Sequence, residues 1–143
     1  MAKNDEYYMN IALQEAKQAM LHDEVPVGAI IVYKDNIIAK SFNRKNIDNI
    51  ATYHAEILAI NEACKNLNSW YLDECTLYTT VEPCMMCTGA IIQSRIKKVV
   101  YGTKNEVYGH LSKLEKSKIE ITSEILKDDC QQILSDFFKN KRV

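Results

Sequence analysis

The stretch CTLYTTVEPCMMCTGAII, residues 75–92, joins a strand pattern almost directly to a helix pattern. Residues 75–81 are rich in β-branched side chains and predict a strand that ends at Val81. A helix is predicted from Cys84 to about residue 94, with Pro83 in its first turn. A strand that leads into a helix after so short a turn is typical of α/β domains.

The segments on either side of this stretch alternate between strand and helix patterns in the same way. Their order predicts a three-layer α-β-α domain around one mixed sheet. The apolar run at the start of the pair in 25–42 favours a central strand that is covered on both faces. The other predicted elements are a helix over 5–20, a strand pair within 25–42 that turns at 34–36, a helix over 54–66, strands over 97–102 and 118–122, and a helix over 123–140 with Ser123 as N-cap.

Length and composition indicate one globular domain spanning residues 1–143. The chain has 47% hydrophobic residues, four Gly and two Pro, so a long flexible linker is not expected. No apolar run approaches the roughly 18 residues of a membrane span, and residues 1–10 lack the apolar core of a secretion signal. Five Cys in a chain without such a signal are expected to be thiols or ligands rather than disulfides, which favours a cytoplasmic protein.

Four residues in two short motifs suggest a metal centre. The first motif, within TYHAEILAI at 52–60, carries His54 and Glu56 at the start of a predicted helix. The second carries Cys84 and Cys87, three positions apart, at the start of another predicted helix. Free N–H groups and the helix dipole favour thiolates at such a start.

One imidazole and two thiolates form a ligand set suited to zinc. Three protein ligands would leave one tetrahedral position for water, whose pKa falls toward about 7 on the metal. Glu56 would then act as the general acid–base that moves the proton of this water. On a regular helix, residues two positions apart point about 200° apart. We therefore expect His54 to lie at or before the helix cap, where it can converge with Glu56.

Other interpretations of these residues remain open on spacing alone. Cys84 and Cys87 also match a thioredoxin-like redox pair, which would leave the His-x-Glu motif unexplained. A structural zinc site would need a fourth ligand among Cys64, Cys75 and Cys130, which are expected to be small core residues instead. Coincidence is the third interpretation, and the order of the two motifs on those predicted elements argues against it.

At this point the sequence resembles the bacterial tRNA-specific adenosine deaminases, within the cytidine deaminase superfamily. H-x-E followed by P-C-x-x-C is the motif of zinc deaminases. The resemblance extends to the segments EVPVGAIIV, HAEILAI, LYTTVEPCMMCTGAIIQSRIKKVVYG and ILSDFF, and it covers most of the chain. It implies a cytidine-deaminase-like fold with a five-stranded mixed sheet and one Zn²⁺ per chain. The implied reaction converts the wobble adenosine of an arginine tRNA anticodon loop to inosine, in a homodimer.

The resemblance also assigns roles to individual residues. It makes His54, Cys84 and Cys87 the metal ligands and Glu56 the proton shuttle. Asn43 matches a residue that contacts the target nucleoside, although an Asn in a loop also suits a turn cap. The backbone at Ala55 and Pro83 would line the pocket.

Two segments depart from the family pattern. The sequence IATYHAE lacks a Pro before the His. The loop GTKNEVYGHLSKLEKSKIEIT is shorter than the corresponding loop of the family, and it keeps only Gly109 and Ser112 of the family motif. A free-base or nucleoside deaminase is therefore the alternative enzyme. An inactive zinc-binding subunit is the alternative from another class, and the presence of Glu56 argues against it.

The charge distribution suggests an RNA partner, although the chain carries a formal net charge of −1. Residues 93–118 hold seven Lys or Arg and two Asp or Glu. Such a basic segment either faces a polyanion or forms an ordinary solvated surface. The candidate backbone contacts are Lys97, Lys98, Lys104, Lys113, Lys116, Lys118, Lys139, Lys141 and Arg142.

Overall fold

The computed structural model describes residues 3–114 and 118–141 and forms one five-stranded sheet with helices on both faces. The chain order is α1 (Asp5–Leu21), β1 (Gly28–Tyr33), β2 (Asn36–Phe42), α2 (Lys45–Asp48), α3 (Ala55–Leu67), β3 (Cys75–Val81), α4 (Met85–Gln93), β4 (Lys98–Thr103), a 3-10 turn (Leu111–Lys113), β5 (Glu120–Thr122) and α5 (Lys127–Lys141).

The sheet is mixed, as predicted. Its strand order is β2-β1-β3-β4-β5, in which β1 is antiparallel to both neighbours and the β3, β4 and β5 strands are parallel. The antiparallel pairing of β1 with β2 follows from the tight turn between them. Parallel pairing of β3 with β4 needs a crossover, which α4 supplies.

Two apolar clusters bury the two faces of the sheet. On one face, Ile30 and Val32 of β1 pack with α1 and with Cys130 and Ile133 of α5. On the other face, Ala29 and Ile31 pack with α3 and α4. Alternate residues of β1 therefore point into different clusters, which is the period-two pattern of a strand. This arrangement confirms the three-layer prediction.

The structure corrects two predicted helix starts. The last helix begins at Lys127 rather than at 123, and Ser123 does not cap it. Glu124 and Leu126 have φ values of 66° and 53°, in the left-handed region, so the helix cannot run through them. The Ile125 N–H donates to the carbonyl of Tyr101, which holds this segment against β4. The other correction is that Cys84 is the N-cap of α4, so Pro83 precedes the helix instead of lying in its first turn.

The fold brings two helix starts together at one edge of the sheet. Strand β3 ends at Val81, and α4 begins four residues later. The loop after β2 leads through α2 to α3, whose N-cap is His54. Among the described residues, no helix is both long and apolar enough to cross a membrane.

Candidate active site

His54, Cys84 and Cys87 converge where α3 and α4 begin. His54 and Cys84 are the N-cap residues of the two helices, and both have extended backbones. The Nδ1 atom of His54 lies 3.6 Å from Sγ of Cys84 and 3.5 Å from Sγ of Cys87. All three candidate ligand atoms lie within 4.8 Å of one another, and no other cluster of this kind is found in residues 3–114 and 118–141.

These distances fit a tetrahedral zinc ion. With Zn–S bonds of about 2.3 Å and Zn–N bonds of about 2.0–2.1 Å, a bound nitrogen and a bound sulfur would lie about 3.6 Å apart. The observed separations of 3.5 and 3.6 Å agree with that spacing. Cys64, Cys75 and Cys130, the other free thiols, are not part of the cluster.

Interactions among Cys84, Cys87 and His54 shift the pKa values of all three groups. Hydrogen bonds from Cys87 and, to a smaller extent, from His54 lower the pKa of Cys84 to about 3. The pKa of Cys87 is raised, first because its thiol donates to Cys84 and then because it is buried. The hydrogen bond to Cys84 also raises the pKa of His54. A divalent cation held by the three groups would favour the deprotonated form of both thiols, as zinc binding requires.

Glu56 stands beside this cluster with its carboxyl group buried. It is the second residue of α3, two positions after the N-cap His54, so the extended cap bends the chain and lets both side chains face the same space. Its side chain is 4% exposed and lines the same cavity as His54 and Cys84. Burial raises the pKa of Glu56 to about 7.

Comparisons with known proteins agree with this geometry. A model of the MafB19-like deaminase family matches residues 3–142. The tRNA-specific adenosine deaminase of Buchnera aphidicola subsp. Schizaphis graminum (strain Sg) is 44% identical, and the alignment covers 99% of this chain and 98% of that protein. The chain belongs to the tRNA-specific adenosine deaminase family.

The structure is similar to solved structures of two kinds of enzyme, tRNA deaminases and guanine deaminases. A structure from a study of A-to-I editing by tRNA:A34 deaminases superposes with a TM-score of 0.85 at 34% identity, covering 90% of this chain and 99% of that one. Guanine deaminase from Nitrosomonas europaea superposes with a TM-score of 0.84 at 25% identity, covering 96% and 85%. The cytidine-deaminase-like fold predicted above is thereby confirmed.

Asn43 lies in the wall of the deaminase cavity and bonds to backbone on both sides. Its Oδ1 accepts the Ala55 N–H at 2.8 Å, and its Nδ2 donates to the carbonyl of Val25 at 3.2 Å. These two partners fix which end of the amide is oxygen. One N–H of the amide and one oxygen lone pair remain for a ligand.

Ala55 and Pro83 lie behind the cavity wall rather than in it. The Ala55 N–H already donates to Asn43, and the residue is fully buried. The Pro83 carbonyl accepts the His110 N–H at 3.0 Å and the Thr88 hydroxyl at 3.5 Å. Their neighbours His54, Glu56 and Cys84 do line the cavity.

Two further buried carboxylates border the cavity, and the motif analysis did not identify either of them. Glu24 is 2% exposed, and its Oε2 accepts the Ile47 N–H of α2 at 2.6 Å. Glu82 is 3% exposed and accepts two N–H groups of the loop after β4. Glu24 directly precedes the apolar run at 25–32, and Glu82 directly follows the strand that ends at Val81. A carboxylate next to a buried strand is the signal that could have found them.

Proposed function

We propose that this protein is a zinc-dependent hydrolase that converts the wobble adenosine of a tRNA anticodon loop to inosine. The observation that carries the proposal is the approach of His54, Cys84 and Cys87 to one another beside the buried carboxyl of Glu56. An arginine tRNA is the substrate that the family resemblance favours. The cytoplasm, where tRNA is modified, is the compartment that such a substrate implies.

His54 Nδ1 and the two Sγ atoms would hold one Zn²⁺ per chain. The ion would supply a water nucleophile that is active at neutral pH. The chain's own task is to keep three deprotonated donors in place, and it does so by anchoring two of them at helix N-caps. Cys87, in the first turn of α4, is fully buried.

Glu56 would move the protons of the reaction. Its carboxylate takes a proton from the attacking water and gives it to N1 of the purine, so the ring can accept the oxygen at C6. It then takes the proton of the new C6 hydroxyl and gives it to the departing amine, so the C6 carbonyl forms as ammonia leaves. A pKa near 7 suits both tasks because the group can gain and lose a proton at neutral pH.

Asn43, Ala55 and Pro83 would shape the substrate pocket. Asn43 can offer its remaining amide N–H to the nucleoside while its other bonds hold its orientation. Ala55 and Pro83 would act from behind the wall, by holding Asn43 and the turn at Cys84 in place. These roles rest on the family resemblance together with the contacts named above.

The cavity is large, which favours an RNA segment over a free base, and both lysines and carboxylates line it. Its volume is about 1090 Å³, slightly above the roughly 300–1,000 Å³ typical of small-molecule pockets. Lys45, Lys104 and Lys139 line it, and Lys45 was not among the predicted contacts. Of the predicted set, Lys116 and Arg142 lie outside the described residues. Neutralising phosphates with these lysines would make binding weaken steeply with salt.

A homodimer is proposed from the family resemblance and from the outer face of α4. Met85 is 68% exposed and Ile92 46% exposed, and Met86 is also exposed. A Cβ added at Gly89 would meet no atom within 4 Å, so this face is open. Ile91, from the same apolar run, is fully buried instead. Replacing Ile92 by Glu should therefore shift the protein toward monomer in sedimentation velocity.

Ammonia release from four substrates tests the proposed reaction. The substrates are an anticodon stem-loop with adenosine at the wobble position, free adenosine, free guanine and free cytidine. We expect efficient release from the stem-loop alone. The similarity to guanine deaminase makes guanine the second candidate, and preferential release from guanine would replace tRNA as the substrate. No release from any of them, with zinc bound, would favour an inactive binding subunit.

A further inference from the structure

The segment that runs from the end of β4 through the 3-10 turn is tied to Glu82 near both of its ends. Oε1 of Glu82 accepts the Asn105 N–H at 3.3 Å, and Oε2 accepts the Ser112 N–H at 2.8 Å. One buried carboxylate thus joins two positions that are seven residues apart. We refer to residues 104–113 as the rim loop.

The middle of the rim loop rests on the turn that carries Cys84. The His110 N–H donates to the Pro83 carbonyl at 3.0 Å, and Gly109 forms an isolated bridge with Cys84. A Cβ at Gly109 would collide with the Asn105 carbonyl and with the Glu82 carboxylate, so only Gly allows this close approach. The rim loop therefore packs directly against the turn that carries a candidate metal ligand.

Tyr108 lies in the exposed part of the rim loop, between the two residues that bind Glu82. The Asn105 side chain accepts the Tyr108 N–H at 3.0 Å and the Val107 N–H at 3.3 Å, which fixes the backbone beneath both residues. Tyr108 is 73% exposed and lines the same cavity as His54 and Glu56. None of the ring–ring contacts among the described residues includes Tyr108.

We propose that the Tyr108 ring is a stacking surface for the nucleobase next to the target adenosine. The inference rests on the proposed RNA substrate. Moving the target base into a cavity removes a stacking partner from its neighbour, and an aromatic ring at the cavity mouth can replace that partner. Stacking needs only the flat face of a base, so the occupant is a nucleobase of single-stranded RNA. Lys104, on the same loop, lines the cavity and suits the adjoining phosphate.

Variants at Tyr108 test stacking separately from charge and fold. Tyr108→Ala should raise both the Kd and the KM for the stem-loop by about 5- to 100-fold, with kcat little changed. Tyr108→Trp keeps an aromatic face and should stay near wild type. Tyr71→Ala is the matched control, because Tyr71 is 51% exposed but does not line the cavity. An alanine variant with wild-type Kd and KM, or a tryptophan variant as impaired as alanine, would overturn the proposal.

Modified RNAs identify the nucleobase. An abasic site is placed either 5′ or 3′ of the target adenosine, and binding is measured by fluorescence anisotropy independently of turnover. On one of these RNAs, wild type and Tyr108→Ala should bind equally, because the stacking partner is gone. An equal loss of affinity for Tyr108→Ala on both abasic RNAs and on the unmodified stem-loop contradicts stacking. A wild type that neither binds nor deaminates the stem-loop overturns the proposed function as well, whereas normal activity with an unaffected Tyr108→Ala overturns the stacking inference alone.

Discussion

The metal-ligand turns and the rim loop lie side by side, yet they are held in place by different means. His54, Cys84 and Cys87 belong to the starts of two helices that pack on the sheet through buried residues such as Ala59 and Ile91. The rim loop exposes most of its side chains. Hydrogen bonds to one carboxylate and one turn hold it, and Leu111 is its one side chain in the core cluster. The proposed chemistry thus depends on packed elements, whereas the proposed RNA recognition depends on a loop whose exposed side chains can vary with little effect on the core.

The largest effect is expected from removing a metal ligand. Cys87→Ala deletes a buried thiol of the cluster, and a change to a group that merely supports a ligand already costs about 10–100-fold in metal affinity. We expect loss of bound zinc and of ammonia release together. Metal content by mass spectrometry and activity on the stem-loop measure both.

Cys64→Ala is the control for this prediction, because Cys64 is a partly buried thiol that is not in the cluster. It should keep both zinc and activity. A Cys87→Ala protein with a full zinc content would show that the ligand assignment is wrong.

The next largest effect is expected at Glu56. Glu56→Gln keeps the shape of the side chain but cannot accept and return a proton, so kcat should fall by about 10²–10⁴-fold. Zinc content should remain that of wild type, since Glu56 is not one of the three ligands. Single-turnover rates on the stem-loop, measured beside zinc content, separate this outcome from simple metal loss. Wild-type turnover in the variant would refute the proton-transfer role.

Sequence patterns predicted the packed region well because its geometry follows from local rules. Cys84 and Cys87 are three positions apart at a helix start, a spacing that places both on one side. The need for His54 and Glu56 to converge required His54 to lie at the cap, and His54 is the N-cap of α3. The burial of β1 likewise follows from its continuous apolar run.

The rim loop and the segment before α5 could not be predicted because distant contacts determine them. Glu82 accepts N–H groups from residues 23 and 30 positions later, and no period in the sequence marks such bonds. Ser123 has the side chain of an N-cap, but the left-handed backbone at Leu126 delays the helix. Tertiary contacts override local preference in both places.

Asn43 connects the packed region to the substrate pocket, so its removal should affect stability and activity together. Asn43→Ala leaves the Ala55 N–H and the Val25 carbonyl without their partner, which should lower the free energy of unfolding by about 1–3 kcal/mol. Urea denaturation measures the loss. Asn46→Ala removes one exposed bond of 3.5 Å and should change stability by less than about 0.5 kcal/mol. Equal stabilities for the two variants would contradict the structural role of Asn43.

The smallest effect is expected at Glu82, where loop order changes while the chemistry stays intact. Glu82→Gln replaces one acceptor oxygen by an amide group that faces an N–H donor, so one anchor of the rim loop is lost. Hydrogen exchange at Ser112 should become faster, and KM for the stem-loop should rise by a factor on the order of 10, about the equivalent of one hydrogen bond. Zinc content should not change.

Glu106→Gln is the control for this prediction. It removes the same charge from the exposed rim of the same cavity but breaks no anchor. If Glu106→Gln raises KM as much as Glu82→Gln does, charge rather than loop position controls recognition, and the contrast between the two regions fails.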